Sequence, residues 1–247
     1  MLKSGMKDEL LACCKRLKLS RNLADNSELV EAEDREEYLL RLLKLEVEHR
    51  EKSRKDRLLK AAGFYSWKTF ENYRFDDVKL PSGVTPEYLT RVGFVEEKKN
   101  LIIYGNVGTG KTHLATAIGI EACRRGLSTG FYRTANLVNR LSEAKKTGRL
   151  GKLMASLSKL DLLICDEWGY VPLDREAAQL LFQIISDSYE RRSVIITTNL
   201  EFSRWVGIFY DEQMTAAMID RLVHHSYLLL FDGPSNRVRD SLMRRER

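Results

Sequence analysis

Leu101-Ile102-Ile103-Tyr104-Gly105-Asn106-Val107-Gly108-Thr109-Gly110-Lys111-Thr112 is the stretch that decides the fold. Four residues suited to a buried strand run into a glycine-rich turn, and the Ala- and Ile-rich sequence beyond Thr112 has helical spacing. Glycines let the backbone wrap tightly enough for successive N–H groups to point inward at phosphate oxygens, and Lys111 adds a mobile positive charge. Thr112 offers a hydroxyl to a magnesium ion, and the positive end of the following helix faces the same anion. The expected nucleotide-binding set is Gly105, Asn106, Val107, Gly108, Thr109, Gly110, Lys111, Thr112 and His113.

Downstream of this turn, short apolar runs alternate with helical patterns. The runs are Leu101 to Tyr104, Gly130 to Arg133, Leu162 to Cys165, Val194 to Thr197 and Tyr227 to Phe231. They predict an α/β domain with a five-stranded parallel sheet flanked by helices. Active groups should gather at the carboxyl ends of the strands. The run Leu162–Cys165 ends in Asp166-Glu167. Asp166, at the strand tip, can hold magnesium through water beside Thr112, while Glu167 can orient and polarise an attacking water. Val194–Thr197 leads into Thr198-Asn199, and Asn199 is a candidate for contact with that water or the terminal phosphate. Arg221, on a predicted helix ahead of the last strand, is the candidate arginine finger, acting on the site of a neighbouring subunit. The catalytic candidates are thus Glu167, Lys111, Asn199 and Arg221, and the metal candidates are Thr112 and Asp166. His224-His225 reads as packing or a cap.

Upstream, residues 1–65 contain no proline and no glycine between Gly5 and Gly63, and are dense in Leu, Glu, Lys and Arg. They predict a small all-helical N-terminal domain. Leu39, Leu40, Leu42, Leu43 and Leu45 form the apolar centre of its long helix, whose continuation from Glu46 to Arg57 is polar nearly all round. Residues 66–99 read as a hinge and linker, and the aromatic cluster Phe64, Tyr65, Trp67, Phe70, Tyr73 and Phe75, which starts just ahead of it, is expected to pack against the domain of residues 100–247.

The 247 residues carry 41 basic and 35 acidic side chains, a net charge of +6 that permits nucleic-acid binding without demanding it. Lys52, Arg54, Lys55 and Arg57 crowd one stretch, and Arg237, Arg239, Arg244, Arg245 and Arg247 another. Four cysteines without a C-x-x-C pair give no zinc motif. No window has the apolar length of a membrane span, and the first residues are too charged for a secretory signal, so the cytoplasm is the expected location.

Together, Gly105–Thr112, Asp166-Glu167, Thr198-Asn199 and Asp220-Arg221 resemble the AAA+ ATPases of the helicase-loader and replication-initiator clade. Gly110-Lys111-Thr112-His113-Leu114-Ala115, Asp166-Glu167-Trp168-Gly169-Tyr170, Thr198-Asn199-Leu200 with Trp205, and Asp220-Arg221-Leu222-Val223-His224-His225 are similar to IstB-like transposition helper ATPases. So are Glu46 with Arg50, and Lys68-Thr69-Phe70-Glu71-Asn72-Tyr73. The resemblance implies ATP and Mg²⁺ as cofactors and ATP-dependent assembly on double-stranded DNA. It also implies a homo-oligomer with ATP sites shared between subunits, and a transposase partner whose target choice and DNA joining the ATPase assists. A replicative helicase loader with the same core is the alternative, and the size and form of the oligomer stay open. Two positions depart from the family: Asn106-Val107 stands where such loops often carry proline, and Ser235-Asn236-Arg237 where the pattern is Ser-Tyr-Arg, so whether Arg237 acts as a second phosphate sensor stays open.

Overall fold

The computed structural model describes residues 4–170, 173–209 and 211–239. It contains two compact units, one up to Arg57 and one from Leu58 onward. In the first, helices α1 (Ser4–Arg16), α2 (Arg21–Asn26) and the leading part of α3 (Arg35–Ala61) close around Cys14, Leu23, Ala24 and Leu42. Of the leucines at the centre of α3, only Leu42 is buried; Leu39, Leu40, Leu43 and Leu45 are exposed. One face of an amphipathic stripe is covered and the rest stays open. Glu46 is also buried, and its carboxylate accepts hydrogen bonds from Ser20 N (2.9 Å), Ser20 Oγ and Arg50 Nε (2.7 Å). Burial pushes its pKa up, but these donors outweigh burial and hold it below the usual carboxylate range.

The second unit is built on one sheet. Its strands are β1 (Val78–Lys79), β2 (Asn100–Gly105), β3 (Thr129–Arg133), β4 (Leu162–Trp168), β5 (Ser193–Thr198) and β6 (Ser226–Phe231). They lie in the order β1-β6-β2-β5-β4-β3. The five predicted strands are parallel, and β1, from the segment read as linker, adds a sixth by pairing antiparallel with β6. Successive side chains on a strand point to opposite faces. Accordingly Ile102, Leu163, Cys165, Val194 and Ile196 enter one core while Leu101, Ile103, Leu162, Ile164 and Ile195 enter the other. Burial on both faces is why these strands read as continuous apolar runs.

Helices α4 (Pro86–Thr90), α5 (Gly93–Glu96) and α6 (Lys111–Arg124) cover one face. The other is covered by α7 (Thr134–Lys146), α8 (Leu150–Leu157), α9 (Arg175–Ser188), α10 (Val206–Phe209) and α11 (Glu212–His224). Asp174 and Asp211 start α9 and α11 by accepting from Ala177 N and Met214 N, each at 2.7 Å. A short α12 (Asn236–Arg239) follows β6. The aromatic segment packs on this unit: Phe64, Phe70, Tyr73 and Phe75 join the α6-side core, while Tyr65 and Trp67 stay exposed.

Candidate functional site

The phosphate loop leaves β2, the central strand between β5 and β6, at Gly105 and ends where α6 begins at Lys111. Gly105, Gly108 and Gly110 have φ of 154°, 84° and 107°, conformations that side chains rarely adopt. A Cβ at Gly105 would also lie 2.6 Å from Phe231 Cβ, so the loop passes against β6 with no room to spare. In α6, Leu114 N is bonded to Gly110 O at 3.0 Å. Amides ahead of it belong to a helix end that has no intrahelical carbonyl for them, which suits them to hold an anion. Lys111 Nζ folds back on Gly105 O (2.7 Å) and Asn106 O (2.6 Å), within reach of whatever occupies the cradle. Thr109 Oγ1 closes the turn on Asn106 O at 2.8 Å, and Val107 is exposed.

Next to the loop, the tips of β4 and β5 supply oxygen. Asp166 is buried, and its Oδ1 accepts from Thr112 Oγ1 (3.0 Å) and from Thr197 Oγ1. Carboxylate and hydroxyl oxygens at this separation form the hard donor set that suits Mg²⁺, with water completing the octahedron. Thr197 Oγ1 also accepts from Glu167 N (3.1 Å), and Thr134 Oγ1 donates to Asp166 O (2.9 Å). Residues at the ends of three neighbouring strands therefore fix the backbone of the acid pair.

Glu167 departs from strand geometry. Pairing of β4 with β5 shifts between Cys165 and Trp168, and Glu167 sits at φ 58° with its side chain about half exposed. A left-handed non-glycine residue is strained, and such strain gathers where function over-determines the backbone. Arg133 Nε lies 3.6 Å from Glu167 Oε2, and its guanidinium stacks on the Tyr65 ring at 4.8 Å. Behind the pair, buried Trp168 packs on Trp205 and Phe209.

Two further segments close on the loop. Asn236 N donates to Gly108 O (2.9 Å) and Asn236 Nδ2 to Thr109 O (3.2 Å). On the other side His113 Nε2 meets Thr69 O at 2.9 Å and the Tyr73 ring at 5.1 Å. Asn236 Nδ2 and the Tyr73 ring lie 3.6 and 4.0 Å from where a Cβ on Gly110 would stand. Asn236 Oδ1 and Tyr73 Oη are buried without a hydrogen-bond partner, and burial pushes the Tyr73 phenol well above its ordinary pKa. Buried polar atoms of this kind suit a polar ligand beside the loop.

The structure thus brings Gly105 to His113, Asp166 and Glu167 together. Asn199 is exposed just beyond β5, at the same edge of the sheet. Arg221 is elsewhere. Asn100, the first residue of β2, bonds through Nδ2 to Leu222 O (3.3 Å) and through N to His225 O (2.7 Å). The end of α11 is therefore at the amino edge of the sheet, one full length of β2 from the phosphate loop. Arg221 Nη1 donates to Ala217 O (3.0 Å) and its guanidinium covers Phe182 at 5.3 Å. Of the C-terminal arginines, Arg244, Arg245 and Arg247 lie outside the described residues. Sequence reading missed Thr197, Thr134, Arg133 and Asn236. Thr197, Thr134 and Arg133 carry a polar group at a strand end or just after one, a weak signal in one dimension, and Asn236, at the start of α12, lacks even that.

A glycine-rich loop on the central strand of a parallel sheet, with an acid pair on the strand beyond its neighbour, defines a P-loop nucleotide-binding protein of the AAA+ fold. Solved structures agree: DnaA of Aquifex aeolicus bound to AMPPCP superposes with a TM-score of 0.54 at 22% identity, covering 72% of this chain and 53% of that one. A DnaC helicase loader superposes at 0.52 with 24% identity, covering 71% and 98%. The family described as "IstB-like ATP binding protein" matches residues 14–244, and the chain belongs to it. Relatives include the insertion sequence IS232 putative ATP-binding protein of Bacillus thuringiensis subsp. berliner, 36% identical over 83% of this chain and 82% of that protein. The IS5376 counterpart of Geobacillus stearothermophilus is 36% identical over 85% and 84%. Among the described residues no helix is long and apolar enough to cross a membrane.

Proposed function

We propose that this chain hydrolyses ATP with Mg²⁺, assembles through shared ATP sites on double-stranded DNA, and assists a transposase in target selection and DNA joining. The observation that carries the reading is the buried Asp166 carboxylate, gripped by Thr112 and Thr197 beside the phosphate loop, with Glu167 turned out next to it. In this reading the amides of Gly108 to Thr112 and the Lys111 ammonium hold the phosphate chain. Lys111 gives up the carbonyls of Gly105 and Asn106 to do so. Thr112 and Asp166 hold Mg²⁺, which supplies charge neutralisation at the phosphate oxygens. Glu167 takes a proton from the attacking water and Asn199 orients that water from the tip of β5. Tyr73, His113 and Asn236 flank the nucleotide. Arg221 cannot reach its own loop, so it completes the site of a neighbour.

For DNA, the polar end of α3 keeps Lys52, Arg54, Lys55 and Arg57. The fold adds a second basic stretch on α7, α8 and the turn between them, where Arg140, Lys145, Lys146, Arg149 and Lys152 are exposed. Their target is the phosphate backbone rather than base edges. Relatives at 36% identity belong to insertion sequences, which favours transposition over helicase loading.

Phosphate release from ATP, measured with and without duplex DNA across a salt series, tests the reading. Expected are Mg²⁺-dependent turnover, and DNA affinity whose log–log salt slope is about −0.9 per phosphate neutralised. Folded protein with no affinity for adenine nucleotides plus Mg²⁺ would overturn the ATPase, and a flat salt response would overturn the DNA contact.

A further inference from the structure

Away from the phosphate loop, the amino edge of the sheet carries a cluster that nucleotide chemistry does not use. Glu190, His224 and His225 each offer one ligand atom, and the three atoms lie within 4.8 Å of one another. They come from two places in the chain: Glu190 from the turn between α9 and β5, and the histidines from the end of α11. We propose that they form a binding site for a borderline divalent transition ion such as Zn²⁺.

Three features support a site rather than a chance meeting. First, the ligands are the right kind: two imidazoles and one carboxylate make a nitrogen-rich, singly charged set that suits Zn²⁺ and is poor for Mg²⁺. Second, His224 has an outer partner, and His225 already meets the proposed carboxylate ligand. Tyr189 Oη lies 2.9 Å from His224 Nδ1, so that when Nδ1–H donates to the phenol oxygen the Nε2 lone pair of His224 is open to an ion, and His225 Nε2 already faces Glu190 Oε1 at 3.1 Å. An oxygen on the far ring nitrogen is the usual support of a metal-bound histidine. Third, the turn is held in place. Buried Arg192 ties it down through Ser188 Oγ (2.7 Å), Ile184 O (3.4 Å) and Leu157 O, and Glu190 is kept at φ 57°. Only modest side-chain rotation is needed to draw the ligand atoms onto one ion, since the imidazole rings are already 4.2 Å apart. All three ligands keep one side to solvent, so a fourth position is open to water.

Location gives the site a consequence. His224 is one helical turn beyond Arg221, and the Tyr189 phenol feels the charges of Asp220 and Arg221. An ion there would clip the end of α11 to the turn after α9 and stiffen the platform from which Arg221 projects.

The test uses the full chain without nucleotide, titrated with Co²⁺ followed by visible absorption, and with Zn²⁺ in competition against a chromophoric chelator. Expected is one equivalent bound, with tetrahedral Co²⁺ bands and no sulfur charge-transfer band, the same in a Cys13→Ser control. His224→Ala or His225→Ala should abolish uptake, Glu190→Gln should weaken it, and Tyr189→Phe should weaken it by about tenfold. His49→Ala should leave it unchanged. Because the three ligands are exposed or half-buried, the variants should melt like the parent without metal, and Zn²⁺ should raise the melting temperature of the parent but not of His224→Ala or His225→Ala. No uptake by the parent, or uptake that survives His224→Ala with His225→Ala, would overturn the site.

Discussion

If Arg221 serves a neighbouring molecule, two inactive variants should rescue each other. The end of α11 is tied to Asn100 while the phosphate loop departs from Gly105. A six-residue strand with a rise of about 3.3 Å per residue separates the two by about 17 Å, beyond the span of an arginine side chain. Arg221→Ala should therefore cost about 10³-fold or more in turnover by removing the group offered to the next subunit. Glu167→Gln should cost about 10²- to 10⁴-fold within the subunit's own site. Mixed in equal amounts and assembled on DNA with ATP, the two give a working interface whenever an Arg221→Ala subunit supplies the loop and a Glu167→Gln subunit supplies the arginine. With random order that is about one interface in four, so the mixture should recover roughly a quarter of parental phosphate release. Assembly is checked by co-purification of differently tagged subunits. Tagged variants that co-assemble yet show only the average of their separate rates would refute the geometry.

Other consequences follow from the same structure. Gly105→Ala puts a Cβ against Phe231 at a left-handed φ, and should destabilise the second unit by about 3 kcal/mol in denaturant melts while also weakening nucleotide binding. The lowered pKa of Glu46 means the folded first unit binds its proton less readily than the unfolded chain does. That stability is therefore complete above the unfolded value near pH 4.3 and is lost as pH falls through the folded one. Glu46→Gln should flatten this acid limb in pH-dependent melting and lower stability at pH 7 by about 2 kcal/mol. Thiol titration of the native protein should find one fast cysteine, Cys13, because burial raises the pKa of Cys14 and Cys123 and pushes Cys165 up to about 12.

How much of this was legible in one dimension depends on the range of the interaction. The five parallel strands showed because each is buried on both faces and so spells a continuous apolar run, and the phosphate loop showed because its geometry is local. Strand β1 did not, since two residues carry no period and Val78-Lys79 is defined only by pairing with Phe231 and Leu230. Thr197 was visible as a polar strand end, but its bonds to Asp166 and Glu167 depend on the register that sets Cys165 beside Ile196 and on the irregularity that follows. Asn236 reaches the loop across 127 residues of chain. His225 caps α11, in keeping with the reading of His224-His225 as packing or a cap, whereas its contact with Glu190, 35 residues away, depends on the fold.

The irregularity after Cys165 also explains how adjacent acids can take different tasks. In an unbroken strand Asp166 and Glu167 would point to opposite faces of the sheet, and Glu167 would enter the core that holds Cys165. A left-handed residue redirects it to solvent beside Arg133, while Asp166 stays buried on Thr112 and Thr197. The exposed pair with Arg133 is too weak to account for the strain, being worth under about 1 kcal/mol. What holds the conformation is the bond from Glu167 N to Thr197 and that from Thr134 to Asp166 O. Replacing Glu167 by glycine or alanine separates backbone from side chain. Both variants should lose hydrolysis, but Glu167→Gly, free of the left-handed penalty, should melt as the more stable of the two by about 1 kcal/mol. Equal stability of the two would mean that position 167 is not left-handed in solution, and the division of labour between the acids would lose its structural basis.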